Sequence, residues 1–348
     1  MRSFYCQKGN IFIYSILFGL LILSSLSAGY FYYQGQKKPA MELSTKKSSG
    51  NSLNASSSPQ VSTNNARELI SPMGQDVLAN DDTSKKGPWD ADLLIGVSND
   101  GNSFRDIKVF EKRAGVPSVI HDKKGDLFAA FQWFPENNPM AFSKVAIKTS
   151  NDGGETWSEP VQATFANYPK NFSRPFDPTL VLTKEGKIRM YFTVNIYKGE
   201  RQKPDPTSYY SAISDDGIHY TFEAGERFNV SGTQILDPAV VVVNGIYHLT
   251  APKSPKSGAY YATSSDGLTF ASGADIQSVD GYLWTGNLVE YGTGMRFYGG
   301  GKGELFYSYS ADGKNWETPV IVSLKGGDPS VVQALESKYI IIYVGPPR

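Results

Sequence analysis

Three aspartates each stand immediately before a proline, at the start of an apolar run that is typical of a buried strand. They are Asp177 in DPTLV, Asp237 in DPAVV and Asp328 in DPSVV. If these strands begin at one site, the carboxylates converge there and can supply both an acid and a base. Hydrolysis of a glycosidic bond needs such a pair, roughly 5 Å apart for a covalent intermediate or roughly 6.5 to 9.5 Å apart for direct attack by water.

The three aspartates are therefore the catalytic candidates, with one ionised as base or nucleophile. Like charges at close range raise the pKa of a neighbouring carboxyl group and so fit it for proton donation. The alternative for each residue is structural, because an aspartate before a proline also opens a turn well.

Two cations near the ends of the predicted strands are candidates for substrate binding. Arg174, in SRPFDP, precedes Asp177 by three residues. Its guanidinium could bind a carboxylate-bearing or phosphate-bearing sugar in a bidentate manner, or it could pair with Asp177 and shape the loop. Lys253, in TAPKS, closes a second strand, where a cation would face the same site.

Two tryptophans and one glutamate complete the candidate binding residues. Trp133 and Trp284 can each stack on the apolar face of a sugar, although burial in a core is the commoner fate of such rings. Glu290, in NLVEY, is an acid on a strand that corresponds to those of the three aspartates.

The composition argues against several other chemistries. The 348 residues carry 34 Lys and Arg against 34 Asp and Glu, with no long basic run, so we expect no nucleic-acid partner. The single cysteine, Cys6, rules out a disulfide scaffold and a Cys-based zinc site in the rest of the chain. His121, His219 and His248 lack metal-ligand spacing. No metal and no cofactor are expected.

A short motif recurs five times, with a Ser, an Asp-Gly pair two positions later and then an aromatic residue. The copies begin at Ser98, Ser150, Ser214, Ser264 and Ser310. Asp can accept hydrogen bonds from amides of its own loop and Gly tolerates positive φ, so the motif predicts a turn that closes a hairpin. Its aspartates are therefore predicted to be turn formers. The spacing of about 50 residues matches one blade of a β-propeller.

The strands between these turns also repeat. Inner strands open at VPSVI, DPTLV, DPAVV, GNLVE and DPSVV, and each is followed by a second strand. The C-terminal repeat stops after its second strand, whereas the N-terminal repeat begins at its third, in DLLIGVS. Joining the two completes one blade, so the pattern predicts an all-β, five-bladed β-propeller closed by strands from both ends.

The motif SNDGGETW resembles the Asp box of sialidases, whose boxes lie at the blade periphery. The Asp-Pro openings are similar to those of five-bladed arabinanase, xylosidase and invertase-like glycoside hydrolases. The resemblance covers residues 89 to 348 and implies a propeller that acts on carbohydrate. Two positions depart from the family patterns. Gly115 replaces an expected arginine of sialidases, and Val116 stands where the five-bladed hydrolases place the general base.

The N-terminal part has a different composition. Residues 1–10 form a tail, and residues 11–33 are uncharged and long enough to cross a bilayer as a helix, which predicts a transmembrane anchor or, alternatively, a cleaved signal peptide. Residues 34–88 are poor in apolar residues and predict a disordered linker. On the Asp-box resemblance, we expect the propeller at residues 89–348 to be extracytoplasmic, at the cell surface or in the periplasm, or else secreted.

Taken together, the sequence predicts a monomeric, glycoside hydrolase-like propeller that acts on a glycan or small carbohydrate by carboxylate acid/base chemistry. The departures at Gly115 and Val116 keep a second hypothesis open, in which the propeller binds a glycan or a protein without cleaving it. A third hypothesis, a scaffold used through its outer surface, predicts a plugged channel. A carboxylate pair at hydrolytic separation would favour the first.

Overall fold

The computed structural model describes residues 87–197, 206–253, 258–278 and 281–347. These residues form five β-sheets that contact one another in a closed ring, which confirms the predicted all-β, five-bladed propeller. The predicted tail and anchor lie outside the described residues, as does all but the last part of the predicted linker. No helix within the described ranges is long and apolar enough to cross a membrane.

Four blades are each built from one continuous stretch of chain. Blade 1 contains β3 (Ala114–His121), β4 (Leu127–Trp133), β5 (Lys144–Ser150) and β6 (Val161–Gln162). Blade 2 contains β7 (Thr164–Ala166), β8 (Phe176–Leu182), β9 (Ile188–Val194), β10 (Ser208–Ser214) and β11 (His219–Phe228), with β7 added in parallel outside β11. Blade 3 contains β12 (Ala239–Val243), β13 (Ile246–Pro252), β14 (Ala259–Ser264) and β15 (Ala271–Ser272). Blade 4 contains β16 (Tyr282–Tyr291), β17 (Gly294–Gly301), β18 (Glu304–Ser310) and β19 (Val320–Ile321).

Blade 5 is assembled from both ends of the described chain. It contains β1 (Leu93–Ser98), β2 (Arg105–Glu111), β20 (Gly327–Leu335) and β21 (Lys338–Val344), in the order β2-β1-β21-β20. Every residue of β1 pairs with β21, from Leu93 opposite Val344 to Ser98 opposite Tyr339. The predicted strand-sharing closure is therefore confirmed.

The core consists of five apolar clusters, one at each junction between neighbouring blades. Strand β21 shows how the sequence produces this arrangement. Ile340 and Ile342 pack toward blade 1, whereas the alternating Tyr339, Ile341 and Tyr343 pack toward blade 4. Because both faces of a middle strand are covered, its sequence is a nearly continuous apolar run. Each fully buried side chain of this kind contributes about 1.5–3 kcal/mol to folding.

The repeated Ser-x-Asp-Gly motif forms the same hydrogen-bonded turn in blades 2 to 5. The turn of blade 1 is longer, because the Ser150 hydroxyl accepts from the Gly154 amide and Asp152 accepts from the Thr156 amide. In blade 3 the Ser264 hydroxyl donates to Asp266 over 2.8 Å and accepts from the Gly267 amide over 2.9 Å. Asp266 also accepts from the Leu268 and Thr269 amides, and these bonds lower its pKa to about 2. The predicted role of these aspartates as turn formers is confirmed by these bonds. The turns follow the third strands, at the end of the propeller that we call the turn face.

The turns also connect neighbouring blades. The Tyr191 hydroxyl of blade 2 donates to the carbonyl of Gly267 in blade 3 over 2.7 Å, and Tyr298 of blade 4 donates to Gly101 of blade 5 over 2.8 Å. Gly267 has a φ of +71°, and a Cβ at this position would lie 2.4 Å from Arg189 Nη1. Glycine is therefore required both by the turn and by the close approach of the preceding blade.

A serine of this turn provides a stability prediction. Ser264→Ala is expected to lower the free energy of unfolding by about 1–3 kcal/mol, because the buried Gly267 amide loses its acceptor. Chemical denaturation of the variant measures the change. The exposed Ser272→Ala is the matched control and should change stability by less than about 0.5 kcal/mol. Equal stability of the two variants would show that the turn does not depend on this hydroxyl.

Candidate active site

The inner strands of the five blades begin around the axis of the ring, on the face opposite the turns, which we call the mouth face. At the start of each inner strand one residue has positive φ. Four of these residues are not glycine, with φ between 43° and 54°, and they are Val116, Asp177, Asp237 and Asp328. The fifth is Gly286, with a φ of 145°. We call these five positions the axial ring.

Local irregularities in the strands produce the axial ring. The pairing of the inner strand with the second strand shifts in register at four of the five positions, as between Phe176 and Thr179 and between Gly327 and Ser330. Four ring residues precede a proline, which lacks the amide hydrogen that a regular ladder would use. A positive φ is a genuine outlier for a β-branched residue such as Val116. Such strain is concentrated at functional sites in proteins.

A small cavity on the axis is lined by two of the three candidate carboxyl groups. Its walls include Asp237 and Asp328, together with Val116, Gly286 and Asn287, and it has room for about one water molecule. Asp177 is buried beside Asp237, whose backbone amide donates to Asp177 Oδ2 over 3.2 Å. The structure therefore brings Asp177, Asp237 and Asp328 together, from three different blades.

The pKa values of the three carboxyl groups are raised in unequal ways. Burial, and then repulsion from Asp177 and Asp328, raises the pKa of Asp237 well above its usual value. Burial raises the pKa of Asp177 to about 6, against the effect of the Asp237 amide. Burial also raises the pKa of Asp328, but a hydrogen bond from Thr285 favours its ionised form. The site can thus hold a protonated and an ionised carboxyl group at the same pH.

Hydrogen bonds between inner strands hold this geometry. The Ser330 hydroxyl accepts from the Val119 amide over 3.0 Å, and Ser118 accepts from Leu180 over 2.9 Å. These bonds connect blade 5 to blade 1 and blade 1 to blade 2. Asn287 reaches from blade 4 to blade 1, where its Nδ2 donates to the Pro117 carbonyl over 3.1 Å. Blade 5 lies between blades 4 and 1, so this hydrogen bond crosses the axial channel and narrows it.

The two predicted cationic residues lie away from the axial cavity. Arg174 lines a separate cleft between blades 1 and 2, together with Lys144. Lys253 forms an ion pair with Asp275, and its ammonium lies 4.8 Å from the ring centroid of Tyr260. Lys253 is not among the described residues that line the axial cavity, and its charge is paired with Asp275.

The prediction for Trp284 is wrong, and Glu290 lies away from the axial cavity. Trp284 is buried and stacks on Phe297 with ring centroids 4.4 Å apart, so it belongs to the core and cannot stack on a sugar. Glu290 lies toward the turn face, roughly 13 Å along the strand from Gly286 at about 3.3 Å per residue, and so cannot act at the mouth. Trp133 is half-buried at the mouth end of β4, where it packs against the core between blades 5 and 1.

The sequence interpretation missed Asn287 and Thr285. A signal was present, because GNLVE replaces the Asp-Pro of three other openings and so places an amide beside the axis. The hydrogen bond of Thr285 to Asp328 depends on how blades 4 and 5 meet, and no local pattern encodes that contact.

Comparisons with known proteins support the fold. No protein-family model matches the chain. Two uncharacterized proteins from two strains of Mycobacterium tuberculosis are 29% identical over 208 residues, which is 58% of this chain and 65% of each relative, just under two thirds. A GH32 beta-fructofuranosidase of Bombyx mori aligns with a TM-score of 0.52 and 14% identity, over 66% of this chain and 54% of that chain. A fructofuranosidase of Schwanniomyces occidentalis aligns with a TM-score of 0.50 and 17% identity, over 65% and 51% respectively. At this identity the likeness shows a shared propeller fold, which resembles that of glycoside hydrolases.

Proposed function

We propose that the protein is a glycoside hydrolase-like propeller that acts on a glycan by carboxylate acid/base chemistry at the axial ring. One observation carries the proposal: Asp177, Asp237 and Asp328 converge from three blades with raised and unequal pKa values. A group with a strongly raised pKa is suited to protonate a leaving oxygen, and its ionised neighbour is suited to act as base or nucleophile.

Each carboxyl group has a distinct role in this proposal. Asp237 lines the cavity and retains its proton, so it is the general acid. Asp328 lines the same cavity, and although burial raises its pKa, the hydrogen bond from Thr285 favours its ionised form, so it is the base or nucleophile. Asp177 lies behind Asp237 and acts as a positioning residue. Its negative charge keeps the proton on Asp237.

A second candidate is a propeller that binds a glycan or a protein without cleaving it. The observation in its favour is the size of the axial cavity, which has room for about one water molecule and is crossed by Asn287. A sugar ring could then rest on the mouth face but could not enter between the carboxyl groups.

An assay of the full-length protein distinguishes the two candidates. Aryl glycosides and polysaccharides are offered as a panel, with product release measured by chromatography and binding measured by calorimetry. Release of sugar supports the hydrolase. Binding to a polysaccharide without any release would contradict catalysis and support the second candidate.

The membrane anchor at residues 11–33 and the extracytoplasmic location are part of the same proposal, since they would bring the propeller to external glycans.

The position of Asp177 leads to a prediction about pH dependence. In Asp177→Asn the alkaline limb of the pH profile of kcat/KM is expected to move to lower pH. Burial and then the negative charge of Asp177 raise the pKa of Asp237, and the substitution removes the second of these causes, so Asp237 loses its proton at a lower pH. Initial rates across a pH series measure the limb. An alkaline limb that stays in place would show that Asp237 is not the acid controlled by Asp177.

A further inference from the structure

Blades 2 and 4 each have an arginine on the second strand that reaches the turn of the following blade. In blade 2 the Arg189 Nη1 donates to the Asp266 carbonyl over 3.0 Å, and in blade 4 the Arg296 Nη1 donates to Asn102 Oδ1 over 2.9 Å. In both strands the tyrosine two residues later donates to a glycine carbonyl of the same turn. The two arginines therefore occupy equivalent positions.

The two buried arginines differ in how their charge is neutralised. In blade 2 the Arg189 Nε and Nη2 donate to the two carboxylate oxygens of Glu223 over 2.8 and 2.9 Å. Arg296 forms no ion pair within the described part of the chain, where only its Nη1 forms hydrogen bonds and its buried Nε has no partner. The edge of the guanidinium that holds a carboxylate in blade 2 is therefore unused in blade 4.

The outer strands explain this difference. Glu223 of β11 lies opposite Ser211 of β10, and Val320 of β19 lies opposite Tyr307 of β18. These two pairs are equivalent, because Ser211 and Tyr307 each lie opposite the tyrosine that follows the arginine by two residues. Blade 4 thus has a valine, 46% exposed, where blade 2 has the glutamate.

Tyrosine rings contact Arg296 in blade 4. Its Cζ lies 3.5 Å from the ring centroid of Tyr291 and 4.3 Å from that of Tyr307. Such stacking covers the faces of the planar guanidinium and uses none of its N–H groups. Both tyrosines are half-buried and so reach the protein surface. Tyrosine and arginine are enriched among the residues that dominate the binding energy of protein interfaces.

We propose that the surface formed by Arg296, Tyr291, Tyr307 and Val320 binds a glutamate from an extended segment of a partner protein. The carboxylate accepts hydrogen bonds from Nε and Nη2 of the arginine and neutralises a buried charge. A polypeptide is the favoured ligand, because the equivalent carboxylate of blade 2 is a glutamate on an outer strand.

The position of this surface decides how a partner reaches it and what it can affect. Side-chain rotation is common when an interface forms, so an outward rotation of the half-buried Tyr307 admits the carboxylate to the buried Nε of Arg296. The surface lies beside the turn of blade 5, at the turn face, whereas the axial ring lies at the mouth face. The inference therefore does not depend on the proposed function.

NMR spectroscopy of the full-length protein labelled with ¹⁵N-arginine tests the inference. The probe is the pentapeptide TFEAG, the sequence of residues 221–225, which carries the glutamate of blade 2. The peptide is expected to move the Arg296 Nε–H signal in a saturable manner. A control peptide with glutamine in place of glutamate should bind at least about tenfold more weakly, through loss of a charge-assisted hydrogen bond. Arg296→Lys removes the signal and so assigns it.

Val320→Glu places a carboxylate of the protein itself at the same position. It should move the Arg296 signal without any peptide and abolish the response to TFEAG. Val320→Gln is the matched control, with nearly the same size and no charge, and should bind TFEAG as the unmodified protein does. Val320 is exposed, so both variants should fold. Neither substitution should change glycan binding or cleavage at the mouth face.

Three results would overturn the inference. The first is an Arg296 signal that does not respond to TFEAG. The second is an equal response to TFEAG and to its glutamine control. The third is equal binding of TFEAG by Val320→Glu and Val320→Gln, which would show that the carboxylate is not held at this position.

Discussion

Asp237→Asn is expected to reduce kcat for an unactivated glycan by on the order of 10³-fold, because the leaving oxygen then departs without a proton. The substitution keeps the shape of the side chain, and the Asp177 acceptor still meets the backbone amide of residue 237. The fold should therefore remain intact. The rates at which the variant and the unmodified protein hydrolyse one polysaccharide provide the comparison. A circular dichroism spectrum of each protein shows whether the fold is intact.

Substrates with different leaving groups distinguish the general acid, Asp237, from the base or nucleophile, Asp328. Aryl glycosides with electron-poor phenols need little protonation, so Asp237→Asn should retain much of its activity on them. Asp328→Asn should lose activity on both kinds of substrate, because the base or nucleophile is needed whatever the leaving group. Asp215→Asn is the control, since Asp215 is an exposed partner of Lys187 and has no place in the site. If Asp237→Asn and Asp328→Asn respond identically to the two substrates, the assignment of acid and base is refuted.

A second large effect concerns stability. Asp177→Asn is expected to raise the free energy of unfolding at pH 8 by on the order of 3 kcal/mol, since the pKa of Asp177 rises from 3.8 to about 6 on folding and each unit corresponds to about 1.36 kcal/mol. Ionised Asp177 is buried near two other carboxyl groups, so its charge destabilises the folded protein. An asparagine avoids this cost.

The sign of the pH dependence follows from the direction of the shift. Below about pH 3.8 Asp177 is protonated in both the folded and the unfolded state and contributes no penalty. Between about pH 3.8 and 6 the unfolded state loses the proton first, so the unmodified protein becomes less stable as the pH rises. Above about pH 6 the penalty is constant. The advantage of Asp177→Asn should therefore be absent near pH 3.5, grow through this window and then level off.

Urea denaturation at a series of pH values measures this difference. Asp215→Asn again serves as the control, and its stability relative to the unmodified protein should show no such window. A variant Asp177→Asn that is less stable than the unmodified protein at pH 8 would contradict a buried carboxyl group with a raised pKa. A gain in stability together with a changed pH profile of activity is the trade-off that is common at functional sites.

Much of the propeller could be predicted because its signals are local. In β21 the run KYIIIYV is apolar on both sides, which indicates a strand covered on both faces. The Ser-x-Asp-Gly turns are held by hydrogen bonds between residues two to four positions apart. The displaced strand DLLIGVS predicted the closure, since an unpaired edge must find a partner.

The parts of the site that depend on contacts between blades could not be predicted in the same way. Trp284 and Trp133 look alike in sequence, but only the packing against Phe297 shows that Trp284 is in the core. Glu290 stands on an inner strand, yet its distance from the bulge at Gly286 places it toward the other face. Nothing near Lys144 in sequence indicates that Arg174 lies across the same cleft.

The pairing of β1 with β21 also imposes an order of events during synthesis. Strands β1 and β2 leave the ribosome long before β21. The edge of β1 that pairs with β21 therefore stays unpaired while blades 1 to 4 form. During this interval the unpaired backbone of Leu93 to Ser98 can pair with the wrong strand or with another chain. The ring thus acquires its final cooperativity only when β21 has been synthesised and has paired with β1.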